Sequence, residues 1–214
     1  MKVVIQIVLW IAIVVLVYLN YKSIYGPVEF NKKKEQRYAK VIEKMDKIRK
    51  AQLAHRDVVG KFTSSFDSLT RFIDTAEFTL TQRRDTTYLD KEYLKTYGVD
   101  KMVEDVVIDT LGTVKVKDSL FKNYDYSKLE IVPTTEDTKF EMDAGYVTVN
   151  NNRVPVFEAK VNKSIILEGL DPELIIQEKQ TVSVDGVNGP YIKVGSMNEV
   201  DTSGNWPINY GKQE

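Results

Sequence analysis

The sequence predicts an α+β fold: an N-terminal transmembrane helix, an amphipathic stem helix packed on an antiparallel β-sheet of roughly four to seven strands, and short extra helices. Three observations predict it. Residues 3–19 carry no charge, and only Gln6 among them is not apolar. Residues 38–59 repeat apolar side chains at steps of three and four. From Thr75 onward the period shortens to two, punctuated by Gly, Asn and Pro.

The first element has the length of a membrane span. Seventeen residues at about 1.5 Å each cover about 26 Å, and extension to Tyr21 approaches a hydrocarbon core of about 30 Å. Tyr18, Tyr21 and Tyr25 stand where an interfacial aromatic belt belongs. Residues 18–25 offer no good pair of small residues for signal cleavage, so residues 1–21 are expected to stay as an anchor, in contact with lipid through residues 3–21.

A joint is expected next. Glycine weakens a helix, and the residue before a proline is pushed out of the α region, so Gly26-Pro27 should break the chain's first helix. A second helix should restart after Asn31 as N-cap and end at Gly60, which suits the left-handed position after a C-terminus. Residues 22–59 therefore read as joint and stem. Tyr38, Val41, Met45, Ile48, Gln52, His55 and Val59 make its stripe, with Ile42 beside them. Such a stripe either packs on its own domain or meets another chain as a short coiled coil, and Tyr38, Val41, Met45, Ile48, Gln52 and His55 are the candidate interaction surface.

Residues 60–214 read as one globular α+β domain. Ser64 and Asp67 resemble a capping box before a short helix whose Phe66, Leu69 and Ile73 share a face. Phe78 and Leu80 then alternate. A short helix at residues 91–97 ends at Gly98, and residues 106–109 and 114–117 flank a Leu111-Gly112 turn. Leu129 and Ile131 alternate before Pro133. Residues 139–149 and 154–161 flank Asn150-Asn151-Asn152, a hairpin signal because asparagine tolerates the left-handed region. Pro155 in the second strand indicates an edge or a bulge. Asp171-Pro172 reads as N-cap and first residue of a helix to about Gln177. Residues 181–184 and 191–194, around Asp185-Gly186, form a further hairpin, and the last fifteen or so residues an extended tail.

The net charge of −1 hides a split: residues 31–60 carry ten bases and four acids, whereas residues 61–214 carry 18 and 26. A +6 stem precedes a −8 domain. With no cysteine, disulfide scaffolds, thiol nucleophiles and thiolate metal sites are excluded, and one histidine removes most zinc catalysis. His55 lacks a visible orienting partner and reads as a core or interface residue. Glu141 and Asp143 lie at strand spacing, Asp171 and Glu173 at a helix start, and neither pair resembles a metal loop. Gly186 and Gly189 precede no helix, and Gly195-Ser196 matches only part of a serine-nucleophile elbow. No catalytic residue, metal or cofactor is expected. An acidic domain would repel phosphates, so nucleic acid is not an expected partner. The basic stem beside the bilayer leaves anionic lipid or an acidic partner open.

Ile48-Arg49-Lys50-Ala51-Gln52-Leu53-Ala54, followed by Gly60-Lys61-Phe62-Thr63 and Ser65-Phe66-Asp67-Ser68-Leu69, resembles the helix-to-loop junction of type IV pilins and type II pseudopilins. The expected break at Gly26-Pro27 departs from the continuous helix of those proteins, as does an apolar segment without glutamate. With Pro27-Val28-Glu29-Phe30, Gly169-Leu170-Asp171, Gly195-Ser196 and Gly204-Asn205-Trp206, the whole chain resembles an uncharacterised family of single-pass membrane proteins of Gram-negative Bacteroidota. The resemblance implies a pilin-like stem on a sheet, with the domain on the periplasmic face of the inner membrane. Lys22, Lys32, Lys33 and Lys34 outnumber Lys2 across the span and argue for the opposite orientation.

The expected function is a non-catalytic, membrane-anchored scaffold or assembly subunit of a cell-envelope complex, secretion or pilus-like. Its partners would be other envelope proteins and further copies of itself through span and stem. A tethered sensor or ligand-binding domain is the alternative and predicts an apolar pocket with a few polar groups. An enzyme ranks third.

Overall fold

The structure, a computed structural model, describes residues 2–207 and Tyr210. Its spine is one helix, α1 (Lys2–Val59), with Pro27 inside it. The expected break at Gly26-Pro27 is therefore absent, and Asn31 lies within a helix instead of capping one. Two physical reasons account for this. Glycine has no Cβ to meet the proline ring, so part of the clash that drives a pre-proline residue from the α region is missing. The first turn of α6 (Pro172–Gln180) also borders α1 here: Asp171, Glu173 and Leu174 share the lining of one cleft with Gly26 and Pro27. The departure from a continuous pilin-type helix disappears with the break.

The N-terminal part of α1 is long and apolar enough to cross a membrane, and none of that segment is buried in the domain. Burial starts at Phe30. From Tyr38 to His55 the predicted stripe packs into the domain core, alongside Leu69, Phe72 and Ile73 of α2 (Phe66–Thr75). The N-cap of α2 is Ser65, whose hydroxyl accepts from the Ser68 amide, one residue later than the capping-box reading placed it.

Two antiparallel sheets follow in place of one. The first is a two-stranded ribbon of β1 (Glu77–Leu89) and β2 (Met102–Lys115), joined across α3 (Lys91–Tyr97). Asp90 caps α3, and Gly98 takes the left-handed position at its end, as expected. Leu111-Gly112 is not a turn. Strand β2 runs straight through it, with a register shift opposite Leu80 and Thr81, because its partner is a strand long enough to pair with all of it. The short helix α4 (Val116–Leu120) replaces the strand expected to Lys117.

The second sheet has the order β3-β4-β5, built from β3 (Glu141–Val149), β4 (Asn152–Asn162) and β5 (Tyr191–Gly195). Asn150 and Asn151 both have positive φ, the geometry a two-residue hairpin turn requires. Strand β5 pairs only with residues 158–162 of β4, so Pro155 lies where β4 is itself an edge. Ile131 makes only an isolated bridge with Lys139. The hairpin expected around Asp185-Gly186 is absent: residues 181–190 form a loop closed by the Ser183 amide on Asn188 Oδ1, and β5 pairs with β4 instead. Helix α5 (Lys163–Ile166) follows β4 directly. Of the expected tail, Gly204 bridges Val194, and Trp206 and Tyr210 pack on the core. Residues 208, 209 and 211–214 lie outside the described residues.

Gly195 cannot carry a side chain. Its φ is +77°, and a Cβ would run into the backbone carbonyl of Phe157 across the sheet.

Candidate functional site

Every residue of the predicted interaction stripe is buried in the chain's own domain. Tyr38, Val41, Met45, Ile48 and Gln52 are fully buried and His55 is 8% exposed. As a docking surface the stripe is therefore covered: its apolar area is spent on the core cluster that includes Phe157, Ile192 and Val194. Only its end is free, with Val59 at 48% exposure.

The two polar members hold the helix-to-loop junction. Gln52 donates to the Thr63 carbonyl at 2.6 Å and accepts from the Thr63 amide at 3.1 Å, so one buried side chain completes both backbone groups of a half-buried loop residue. The His55 ring lies 2.6 Å from the Lys61 carbonyl through Nδ1, which must carry the proton there, and its face is 4.9 Å from the Phe72 ring. Gly60 turns with φ +84°, and Phe62 drops into the core 4.7 Å from the Phe157 ring. The Ala51-Gln52-x-Ala54 and Gly60-x-Phe62 pattern thus has a structural job. Gln52→Leu should keep the volume but strand both Thr63 groups, costing about 1–3 kcal/mol in urea unfolding.

Among the stem's ten bases, Lys34, Arg37, Lys44 and Lys47 are engaged by the domain that follows. Lys34 pairs with Glu178 at 2.9 Å, and Arg37 donates to the carbonyls of Ile166 and Glu168, each at 2.8 Å. Lys44 donates to the Ile131 carbonyl at 2.6 Å, and Lys47 sits 4.8 Å from the centre of the Tyr124 ring. Burial lowers the Lys44 pKa. Of the contacts these four bases make with the domain, only the one at Glu178 is with an acid; the others are with backbone carbonyls and a ring.

Lys163 lies at the centre of the stem-to-domain contact and is fully buried. It donates to the Val187 carbonyl at 2.7 Å, the Glu178 carbonyl at 2.9 Å and Glu178 Oε1 at 3.1 Å. All three ammonium protons are engaged, so the amine is a fastener and has no free lone pair for nucleophilic work. Desolvation lowers its pKa, opposed by the Glu178 carboxylate. The Tyr38 hydroxyl reaches Glu178 Oε1 at 3.4 Å, and its pKa is pushed far up, first by burial and then by Glu178. Tyr210, 6.3 Å away ring to ring, is raised too, chiefly by burial.

A phenol raised in the folded state binds its proton more tightly there than when unfolded. Its stabilising contribution is complete below the ordinary value of 10.0 and falls as pH rises above it. Tyr38→Phe keeps the ring and removes the ionisation. Between about pH 9 and about pH 11 it should lose less unfolding free energy than the wild-type chain, read from urea midpoints.

A groove of about 650 Å³ lies between the stem and the C-terminal segment, lined by Ile42, Asp46, Arg49, Gly204, Trp206 and Tyr210 among others. Arg49 Nε is buried there and has no hydrogen-bond partner among the described residues. Trp206 stacks so closely on Gly204 that a Cβ at that position would overlap the indole. Among the described residues, no group of three or more His, Asp or Glu side chains is placed to hold a metal ion.

Lys163, Glu178 and Lys34 were missed in the sequence. The signal was present: Phe157, Ala159, Val161 and Lys163 alternate, and all four are buried, so the lysine falls in the core register of β4. No protein-family model matches the chain, and no curated protein or solved structure matches it either.

Proposed function

We propose that the chain is a non-catalytic, membrane-anchored assembly subunit of a cell-envelope complex, secretion or pilus-like, with its domain on the periplasmic face of the inner membrane. The observation that carries this reading is the unbroken α1. One helix is bare and apolar at its start and is the buried spine of the domain at its end, so anchor and domain move as one body. A domain that only captured solutes would work equally well on a slack tether. The pilin-like junction supports the same reading, since its Gln52, Gly60 and Phe62 hold the stem to the sheet.

Affinity purification of the full chain from detergent-solubilised membranes should bring down other envelope proteins in near-stoichiometric amounts; recovery of the chain alone would count against the reading. Orientation has its own test. The sequence has no cysteine, so Glu136→Cys, at an exposed loop, gives a single thiol. A membrane-impermeant maleimide should label it on intact spheroplasts, and labelling only after lysis would place the domain in the cytoplasm.

The groove beside Trp206 favours a second reading, a tethered ligand-binding domain. In a Trp10→Phe background, Trp206 is the sole indole, and its emission should shift on addition of a ligand that fills the groove.

A further inference from the structure

The β1-β2 ribbon is the least satisfied part of the molecule. Its base is tied in: the Val116 amide donates to the Ala76 carbonyl, and Phe78 packs on the core. Beyond Leu80 both strands leave the core. Ile108 is 66% exposed and Leu111 65%, with Leu80, Tyr88 and Val106 also open to solvent. An isolated two-stranded ribbon is marginal in water, and each strand here presents a long outer edge of unpaired amides and carbonyls. The usual protections are sparse. Residues 78–89 and 102–114 contain neither proline nor lysine, and the one irregularity lies near the base, at Leu80/Thr81.

The two edges differ in charge. Residues 78–89 of β1 carry Arg83 and Arg84 against Asp85, a net +1, whereas residues 102–114 of β2 carry Glu104, Asp105 and Asp109 and no base, a net −3. Within the ribbon the two sides already attract, with Arg84 3.4 Å from Asp109. Pairing like edges of two molecules would set one net positive strand against another or three acids against three acids. Pairing unlike edges repeats the match found inside the ribbon.

We propose that the ribbon is a self-association element, in which the basic β1 edge of one copy pairs antiparallel with the acidic β2 edge of a second copy. The resulting order, β1-β2-β1-β2, relates neighbours by near-translation, so both anchors point the same way. The contact is heterologous: the pair keeps one free edge of each kind, and the array grows as an open row. This deepens the assembly reading by naming the surface and the partner, and it rests on that reading only for its biological use.

The test uses the full chain in its membrane. Thr81→Cys on β1 and Thr110→Cys on β2 are made as separate single-cysteine chains, co-expressed, and treated with a short bis-maleimide. Cross-links between the two variants are expected, with little product from either variant alone. Like-with-like links at equal yield, links only to a different protein, or no links at all would overturn the proposal. Charge supplies a second arm. Introduced into both cysteine chains, R83E/R84E or E104R/D105R should each abolish the link between the two variants, and placing R83E/R84E in the Thr81→Cys chain with E104R/D105R in the Thr110→Cys chain should restore it, because the edges that meet are again unlike. A link that survives both sets, or fails to return in that combination, sinks the idea. Co-purification of other envelope proteins with R83E/R84E is scored separately: it reports on the assembly reading and is unaffected by failure of the ribbon contact.

Discussion

Met45→Asp is expected to leave the domain unfolded while the apolar part of α1 still inserts. Met45 is fully buried on the stem face. Truncating such a residue to alanine costs about 2–5 kcal/mol through lost contacts and the cavity left behind. An unpaired carboxylate in the same place adds desolvation, and total domain stability is only about 5–15 kcal/mol. Far-UV circular dichroism of the purified chain in detergent should show lost strand signal, and limited proteolysis should degrade residues beyond the stem. Val59→Asp is the control: it continues the same sequence stripe, but Val59 is half-exposed, so a change within about 0.5 kcal/mol is expected. If Met45→Asp instead folded normally and lost only intermolecular cross-links, the stripe would be a docking surface after all.

The second large effect is expected at Glu178. Replacing it with leucine leaves the buried Lys163 cation facing backbone carbonyls alone and also removes the partner of Lys34. Breaking a buried pair from one side costs about 3–5 kcal/mol. Lys163→Met should cost less, about 1–3 kcal/mol, because Glu178 retains Lys34 and Tyr38 and only two carbonyls lose their donor. The double variant K163M/E178L should be more stable than E178L by urea midpoint. The pH dependence follows. A lysine lowered in the folded state means the unfolded chain binds more protons, so stability rises with pH between the folded value and the ordinary 10.5. E178L, with the opposing carboxylate gone, should show a steeper rise from neutral pH up to about 10, where the tyrosines begin to act against it. A flat profile would mean that Lys163 keeps its proton in the folded state throughout this range, as it does in the unfolded chain.

Local signals were legible in the sequence wherever one residue type had one physical use. Asp171 before Pro172, Gly98 after Tyr97 and Asn150-Asn151 all lie where capping and turn chemistry put them. The stem stripe was legible as a pattern, but a pattern does not say what covers it. The groups that take up Lys34 and Arg37, the Glu178 carboxylate and the Ile166 and Glu168 carbonyls, lie more than a hundred residues away in the chain. Gly26-Pro27 was misread because the pre-proline rule is partly a Cβ rule, and glycine is exempt from that part. The ribbon was misread because β1 and β2 have no buried face beyond Leu80, and hence no alternation to read through Arg83-Arg84-Asp85. Leu111-Gly112 then looked like a turn between two short strands, when it was an irregularity in one long strand.

The unbroken helix also sets the dimensionality of any encounter between copies. At about 1.5 Å per residue, α1 is about 87 Å long. With its apolar end in a bilayer, each domain is carried at a set height, free to drift sideways and to spin about the membrane normal and little else. Edges that would search a volume in solution search a plane, and always at the same level. Confinement of this kind raises local concentration without adding a single contact, so a pairing too weak to detect between soluble domains becomes populated on a membrane. A short, stiff stalk thus does work that a larger interface would otherwise have to do.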